Sequence, residues 1–284
     1  MSEKTVTFGD NRVLPAIGQG TWYMGEKASQ RRQESDALRA GIERGLSLID
    51  TAEMYAEGGA EEVVGEAIKG QRDKVFLVSK VYPWNAGEQK GIAACEASLR
   101  RLGTDHIDLY LLHWRGNYPL EETVGLMETL QQQGKIGRWG VSNLDYADMH
   151  ELWQTPGGQA CATNQVLYHL ASRGIEYDLL PWCQQQNMPV MAYCPLAQAG
   201  RLRTGLMNHP VVNAIAREYN ATAAQVLLAW VLRHRGVIAI PKASTIAHVE
   251  ENAGALEISL SAEALQQLDA AFPAPQQKTP LDVV

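Results

Sequence analysis

Short apolar runs alternate with amphipathic segments along most of the chain. Several of the runs are apolar at every position, which is typical of parallel strands covered on both faces. The segments between them place apolar side chains three or four residues apart, the spacing of one helix face. This alternation predicts βαβ units and a parallel sheet. The predicted strands are residues 46–50, 75–79, 107–112, 136–142, 162–166, 189–193 and 236–240, and the clearest helices are residues 33–45, 91–103, 121–134 and 223–236.

An eighth strand is predicted at residues 18–22, "GQGTW". Eight strands close into a (β/α)8 TIM barrel more readily than they fill an open sheet, so the predicted fold class is α/β, with residues 1–284 as one barrel domain. Residues 1–17 are predicted to form a β-hairpin that plugs the barrel floor, with its turn at Gly9-Asp10-Asn11. Residues 260–272 are predicted to form an extra C-terminal helix. Residues 273–284 form a tail that either folds over the barrel mouth or hangs free.

The composition is that of an ordinary globular protein, with 45% hydrophobic and 20% charged residues. The net charge of −7 without a basic cluster argues against a nucleic-acid partner. No apolar run is long enough to span a membrane, and the start of the chain lacks a secretory signal pattern. The cysteines show neither metal-ligand spacing nor CxxC pairing, which indicates reduced thiols in the cytoplasm. They are Cys95, Cys161, Cys183 and Cys194.

Polar residues follow the predicted strands at the ends where barrel enzymes carry their chemistry. Alone, a strand-end aspartate is often a turn former, a lysine a solvated charge and a histidine a satisfied core residue. Together they change the interpretation. An ammonium buried without a partner is costly, so Asp50 is predicted to be the counter-ion of Lys80. The strand-end residues are Asp50, Lys80, His113, Ser142, Asn143, Gln165 and Tyr193.

Tyr55 lies five residues after Asp50. A cation beside a phenol lowers the phenol's pKa from about 10, so Tyr55 is predicted to deliver a proton near neutral pH. A neutral His113 imidazole would hold the oxygen of an aldehyde or ketone. The chain offers no obvious nucleophile for the carbonyl carbon, so a cofactor is predicted to supply a hydride.

The motifs around these residues resemble those of the aldo-keto reductases over essentially the full chain. The segments "GLSLIDTAEMYAEGGAEEVVGEAI", "SKVYPWN", "LLHWRG" and "GKIGRWGVSNL" occur in that family's order. The chain is most similar to the bacterial aldehyde and methylglyoxal reductases of the family. The resemblance implies that Tyr55 is the general acid, that Lys80, paired with Asp50, lowers its pKa, and that His113 orients the carbonyl.

The resemblance also implies NADPH as the cofactor, with NADH as the alternative. The loop "YCPLAQAG" would bind the pyrophosphate. The family's NADP-preferring members usually carry serine and arginine where this chain has Ala243 and His248, so the preference for NADPH is expected to be modest. Cys194 stands where serine is common. The implied contacts are Tyr193, Asn143, Gln165 and Ser142 at the nicotinamide, Thr21 and Asp50 at its ribose, Leu196 and Gln198 at the pyrophosphate, Lys242, Thr245 and His248 at the 2′-phosphate, and Glu251 and Asn252 at the adenine.

Trp22, Trp84 and Trp114 follow the first, third and fourth strands and predict an aromatic substrate pocket. Two alternatives to a reductase fit part of the pattern: a barrel enzyme in which Lys80 forms a Schiff base, and a non-catalytic barrel that reports cofactor redox state. A metal hydrolase is disfavoured because the strand-end histidine has no neighbouring ligands, so no metal is expected. A monomer is expected as the family default.

Overall fold

Parallel strands and an outer layer of helices form a barrel over residues 4–9 and 11–284, which the computed structural model describes. Within those residues, eight strands lie side by side in chain order, each parallel to its neighbour. The first and last strands also meet: Gly18 N donates to Ala239 O at 2.8 Å and Gly20 N to Pro241 O at 3.0 Å. The predicted (β/α)8 barrel is confirmed. The barrel strands are β3 Gln19–Gly20, β4 Leu48–Asp50, β5 Phe76–Val81, β6 Ile107–Leu112, β7 Ile136–Ser142, β8 Asn164–Leu167, β9 Val190–Tyr193 and β10 Val237–Ala239.

The closure beside β3 explains why a glycine stands at position 20. A Cβ atom added to Gly20 would lie 2.6 Å from the carbonyl oxygen of Ile240, closer than any real Cβ contact. Any other residue here would push β3 away from the end of β10. The glycine therefore lets the two ends of the sheet meet.

The helices lie between the strands. Those predicted from periodicity occur within a few residues of their predicted bounds, whereas several shorter ones were not predicted. The helices are α1 Arg31–Glu43, α2 Gly59–Ile68, α3 Glu88–Leu102, α4 Leu120–Gln132, α5 Tyr146–Gln154, α6 Leu179–Gln185, α7 Arg201–Met207, α8 Pro210–Glu218, α9 Ala223–Val231, α10 Ile246–Gly254 and α11 Ala262–Ala271.

The predicted N-terminal hairpin consists of β1, Thr5–Phe8, and β2, Arg12–Pro15, which pair antiparallel. Asp10 of its predicted turn lies outside the described residues. The Phe8 ring stacks on Phe76, the first residue of β5, with ring centroids 5.3 Å apart. The hairpin therefore covers the amino-terminal end of the barrel, opposite the strand ends that carry the polar residues.

The C-terminal tail folds over the barrel rather than hanging free. Lys278 Nζ donates to Asp145 at 2.5 Å and to Asp178 at 3.0 Å. Ser172 Oγ donates to the Asp282 carboxylate at 2.6 Å. These contacts hold the tail across the loops that follow β7 and β8, and they bring Val284 to the mouth of the barrel.

Candidate active site

A cavity of about 1100 Å³, including the part open to solvent, lies at the carboxyl ends of the barrel strands. It brings together most of the residues that the sequence singled out, from every part of the barrel. Lys80 lies directly beneath, fully buried against Asp50 and Tyr55. The predicted residues in the cavity lining are Thr21, Trp22, Asp50, Tyr55, His113, Trp114, Ser142, Asn143, Gln165, Tyr193, Leu196, Gln198 and Lys242.

Lys80 is the centre of a buried hydrogen-bond cluster. Its Nζ atom donates to Asp50 Oδ2 at 2.8 Å, to the Thr51 carbonyl at 2.9 Å and to the Tyr55 hydroxyl at 3.0 Å. An ammonium has three protons to donate, so these three oxygens saturate it. The predicted ion pair of Lys80 with Asp50 is present, with side-chain exposures of 0% and 3%.

A tight turn after β4 returns Tyr55 to this cluster. Residues Tyr55–Gly58 form a 3₁₀ turn in which Ala56 and Glu57 have φ values of 50° and 52°. Left-handed backbone is unfavourable for residues with a Cβ atom, by about 1–2 kcal/mol each. Gly58, at φ 93°, then starts α2 without that cost. The turn lets a residue only five positions after Asp50 point its side chain back over the strand end.

The pKa of Tyr55 does not move in the predicted direction. Burial raises the pKa of its phenol well above the usual value, and the charge of Asp50 acts in the same direction. Burial also lowers the pKa of Lys80, against the opposing effect of Asp50. The predicted acidification of Tyr55 by Lys80 is therefore wrong for the protein alone, because burial of the phenol, and secondly the charge of Asp50, raises its pKa. The phenol holds its proton at neutral pH.

His113 lies on the other side of Tyr55, with the two ring centroids 5.7 Å apart and the rings edge to face. Burial, and secondly the charge of Lys80, lower the pKa of His113 to about 2. Its imidazole is therefore neutral throughout the physiological range. A neutral imidazole can donate one hydrogen bond, as the sequence predicted for a group that holds a carbonyl oxygen.

The amide side chains of the cavity are fixed by neighbouring residues. Gln165 Nε2 donates to Asp50 Oδ1 at 2.8 Å, which uses the second oxygen of the carboxylate that binds Lys80. Asn143 accepts from the Tyr193 hydroxyl at 2.7 Å and donates to the His113 carbonyl at 3.2 Å. Asn143 has a φ of 58°, a conformation that asparagine tolerates better than most residues.

Two hydroxyl groups predicted for the nicotinamide end of the cofactor donate hydrogen bonds to backbone carbonyls of the barrel strands. Thr21 Oγ1 donates to the Asp50 carbonyl and Ser142 Oγ to the Gln165 carbonyl, both at 2.9 Å. Each hydroxyl proton is thus occupied, although the oxygen can still accept a bond from a ligand. Both residues line the cavity.

Four residues predicted for the adenosine end do not line this cavity. They belong to α10 and its first turn, beside Lys242. Thr245 caps α10, its hydroxyl accepting from His248 N at 3.3 Å. Asn252 is buried, at 6% exposure, while His248 is exposed. The structure therefore places Thr245, His248 and Glu251 outside the cavity lining, at the cap of α10 and within it, and Asn252 within the protein.

The aromatic lining differs from the prediction in one member. Trp22 and Trp114 line the cavity, together with Tyr23 and Met54. Trp84 does not. It is 55% exposed and stacks on Tyr82 with centroids 4.2 Å apart, so it lies on the outside of the aromatic group. The predicted pocket role of Trp84 is not supported.

Some lining residues escaped the sequence analysis. Val284 reaches the cavity through the path of the tail, and Arg203 through α7, a helix too short to give a periodic signal. Cys194 was noted for its thiol, and burial raises its pKa to about 11. Sequence patterns carry no signal for contacts made by tails and short helices, so these residues became visible only in the folded chain.

The cysteines are free thiols, three of them buried. In the part of the chain that the structure describes, no group of three or more His, Cys, Asp or Glu side chains is arranged to hold a metal ion. Among the same residues, no helix combines the length and the apolar character needed to cross a bilayer.

Known proteins provide an independent comparison. A model of the Aldo/keto reductase family matches residues 16–272. The methylglyoxal reductase YeaE of Escherichia coli (strain K12) is 72% identical over 284 residues, with 100% of both chains covered. The glyoxal reductase of Bacillus subtilis (strain 168) is 34% identical over 269 residues, covering 94% of this chain and 92% of that protein. The crystal structure of an aldo/keto reductase from Klebsiella pneumoniae in complex with NADP and acetate is 66% identical, with a TM-score of 0.98 and 100% of both chains covered.

Proposed function

The chain belongs to the aldo/keto reductase family, and we propose that it reduces the carbonyl group of small aldehydes and ketones to an alcohol, with NADPH as the reductant. One observation carries the proposal: a protonated phenol, Tyr55, faces the cavity while its oxygen accepts a hydrogen bond from the buried Lys80 at 3.0 Å. A hydroxyl so held can give its proton to a substrate oxygen and have the resulting charge stabilised.

The residues of the cavity fit a nicotinamide dinucleotide. Tyr193 is hydrogen-bonded to Asn143, and Gln165 lines the same cavity, a set that suits an aromatic ring that carries a carboxamide. Lys242 provides a cation in the same lining. When bound, the cofactor supplies the hydride that reduces the carbonyl carbon.

The protein's own residues would then manage the proton and the carbonyl oxygen. Neutral His113 would donate a hydrogen bond to that oxygen and orient it toward Tyr55. Tyr55 would transfer its proton to the oxygen as negative charge develops there, and the Lys80 ammonium at 3.0 Å would stabilise the phenolate that forms. Asp50 holds Lys80 in place, and a proton from water would restore the phenol. The sum is one carbonyl, one NADPH and one proton giving one alcohol and one NADP⁺.

Small carbonyl compounds of the methylglyoxal type are the proposed substrates. Support comes from the relatives named methylglyoxal reductase and glyoxal reductase. The aromatic lining from Trp22 and Trp114 offers apolar contacts and few groups that would select one aldehyde over another. Aromatic aldehydes should therefore also be reduced.

Reduced thiols support a cytoplasmic location, since all the cysteines are unpaired. We propose a monomer as the working state.

The test is oxidation of NADPH in the presence of methylglyoxal or a nitrobenzaldehyde. Tyr55→Phe should lower kcat by at least about a hundredfold, as expected when a general acid is lost, and leave the Kd of NADPH unchanged. Tyr23→Phe is a matched control, because Tyr23 is a second phenol of the cavity lining without a contact to Lys80. Normal turnover by Tyr55→Phe would disprove the assignment of the proton donor.

A Schiff-base function for Lys80 has little support from these contacts. Its Nζ atom is saturated by three oxygen partners and is closed off from solvent. Borohydride trapping with a carbonyl substrate would detect a covalent adduct if one formed, and none is expected.

A further inference from the structure

An arginine that the sequence analysis did not select lies in the lining of the cavity. Arg203 belongs to α7 and is half-buried. Over the described residues, it has neither a hydrogen bond nor an ion pair with another part of the chain. A guanidinium in a partly desolvated site without an anion is unfavourable, and an anionic ligand would relieve that cost.

The acidic side chain of the cavity lining is already occupied. Among the described lining residues, Asp50 carries that side chain, and both of its oxygens accept hydrogen bonds, from Lys80 and from Gln165. Arg203 and Lys242 therefore present positive charge to the cavity without a neutralising carboxylate side chain. Arginine binds phosphate oxygens through two parallel N–H bonds, which makes it suited to such a ligand.

The two cations come from different elements of the barrel. Arg203 lies close enough to the Cys194 thiol to oppose the effect of burial on its pKa. Cys194 follows Tyr193 directly, at the end of β9. Lys242 follows β10 instead, next to the start of α10. Arg203 is thus associated with the loop after β9, whereas Lys242 is associated with the predicted adenosine end.

We propose that the guanidinium of Arg203 binds the pyrophosphate of the dinucleotide, while Lys242 serves the 2′-phosphate. This inference rests on the proposed function and adds a binding residue to it. The loop after β9 carries a thiol at position 194, a weak hydrogen-bond donor where a hydroxyl would be a stronger one. Arg203 adds charged donors to this loop, whose Gln198 side chain is an uncharged donor.

The experiment measures dissociation constants by quenching of tryptophan fluorescence, since Trp22 and Trp114 line the same cavity. The titrants are NADPH, NADH and adenosine 2′-monophosphate, which carries a 2′-phosphate but no pyrophosphate. Arg203→Ala should raise the Kd of NADPH and of NADH by the same factor, about tenfold, as for loss of a charge-assisted hydrogen bond. It should leave the Kd of adenosine 2′-monophosphate unchanged.

Two further variants make the comparison selective. Lys242→Ala should raise the Kd of NADPH and of adenosine 2′-monophosphate but not that of NADH. Arg201→Ala removes the same charge from the same helix at an exposed position outside the cavity lining, and all three constants should stay at the wild-type values. Arg203→Lys should recover part of the affinity lost in Arg203→Ala, because it restores the charge without the planar fork.

The inference is overturned if Arg203→Ala raises the Kd of NADPH but not that of NADH, which would assign Arg203 to the 2′-phosphate. The inference is also overturned if Arg203→Ala has the same dissociation constants as Arg201→Ala. The same holds if Arg203→Ala raises the KM of carboxylate-bearing aldehydes without changing the Kd of NADPH or of NADH. A wild-type protein that binds neither reduced cofactor and reduces no aldehyde would refute the proposed function itself. Tight wild-type binding with an unchanged Arg203→Ala would refute only the assignment of Arg203.

Discussion

Removing one partner of the Asp50–Lys80 ion pair should lower the free energy of unfolding by an unusually large amount. Asp50→Asn keeps the shape of the side chain but removes the charge that faces the ammonium at 2.8 Å. The side chains of Asp50 and Lys80 are 3% and 0% exposed, so water cannot take the place of a partner that is removed. Removing one partner of such a pair costs about 3–5 kcal/mol, out of a total stability of about 5–15 kcal/mol for a typical domain.

The double variant Asp50→Asn/Lys80→Met separates the pair energy from the cost of an orphaned charge. Because it leaves no unpaired ion, it should be much more stable than the sum of the two single variants predicts. Urea unfolding of the four proteins gives the coupling free energy, provided that the m-values agree. The coupling should be several kcal/mol.

A surface pair provides the control for this cycle. The ion pair of Arg44 with Glu250 joins α1 to α10, with side-chain exposures of 58% and 48%. Its coupling free energy should stay below about 1 kcal/mol, because water screens the charges. If Asp50→Asn destabilises the protein no more than Glu250→Gln does, Lys80 is not held as a buried cation. The stabilisation of a Tyr55 phenolate by Lys80 would then have no basis.

Three further changes test other parts of the site. The His113 pKa of about 2 lies below its usual value near 6.5, so folding excludes a proton that the unfolded chain accepts. Stability should therefore fall as the pH drops below about 6.5, and His113→Gln should remove about 1.4 kcal/mol per pH unit of that slope between pH 4 and 6, measured by urea unfolding. His248→Arg should lower the Kd of NADPH more than that of NADH, through a bidentate phosphate contact; equal changes would contradict it. Trp114→Ala should lower kcat/KM for an aromatic aldehyde by about tenfold or more, whereas Trp84→Ala, outside the cavity lining, should change it little.

The periodicity of apolar residues predicted the barrel fold, and the strand ends of that fold predicted most of the residues of the site. The carboxyl ends of parallel strands meet at one rim, so residues distant in sequence, such as Asp50 and Gln165, could be expected in one cavity from strand positions alone. Their hydrogen bond at 2.8 Å confirms that convergence. The ion pair of Lys80 followed from the cost of burying a charge, which depends on composition near the strand rather than on exact geometry.

Other features depend on distances that no pattern encodes. The pKa of Tyr55 is set first by burial and then by the charge of Asp50, and both raise it. Trp84 has a position in the chain compatible with the pocket, but its ring turns outward onto Tyr82. Arg203 reaches the cavity from α7, whose seven residues are too few to reveal an amphipathic face.

The path of the tail has a practical consequence for handling the protein. Because Val284 lies in the cavity lining, an affinity tag or fusion partner attached after it would emerge at the entrance used by ligands. A tag placed before the N-terminal hairpin would emerge at the opposite end of the barrel, so assays of ligand binding should use that arrangement.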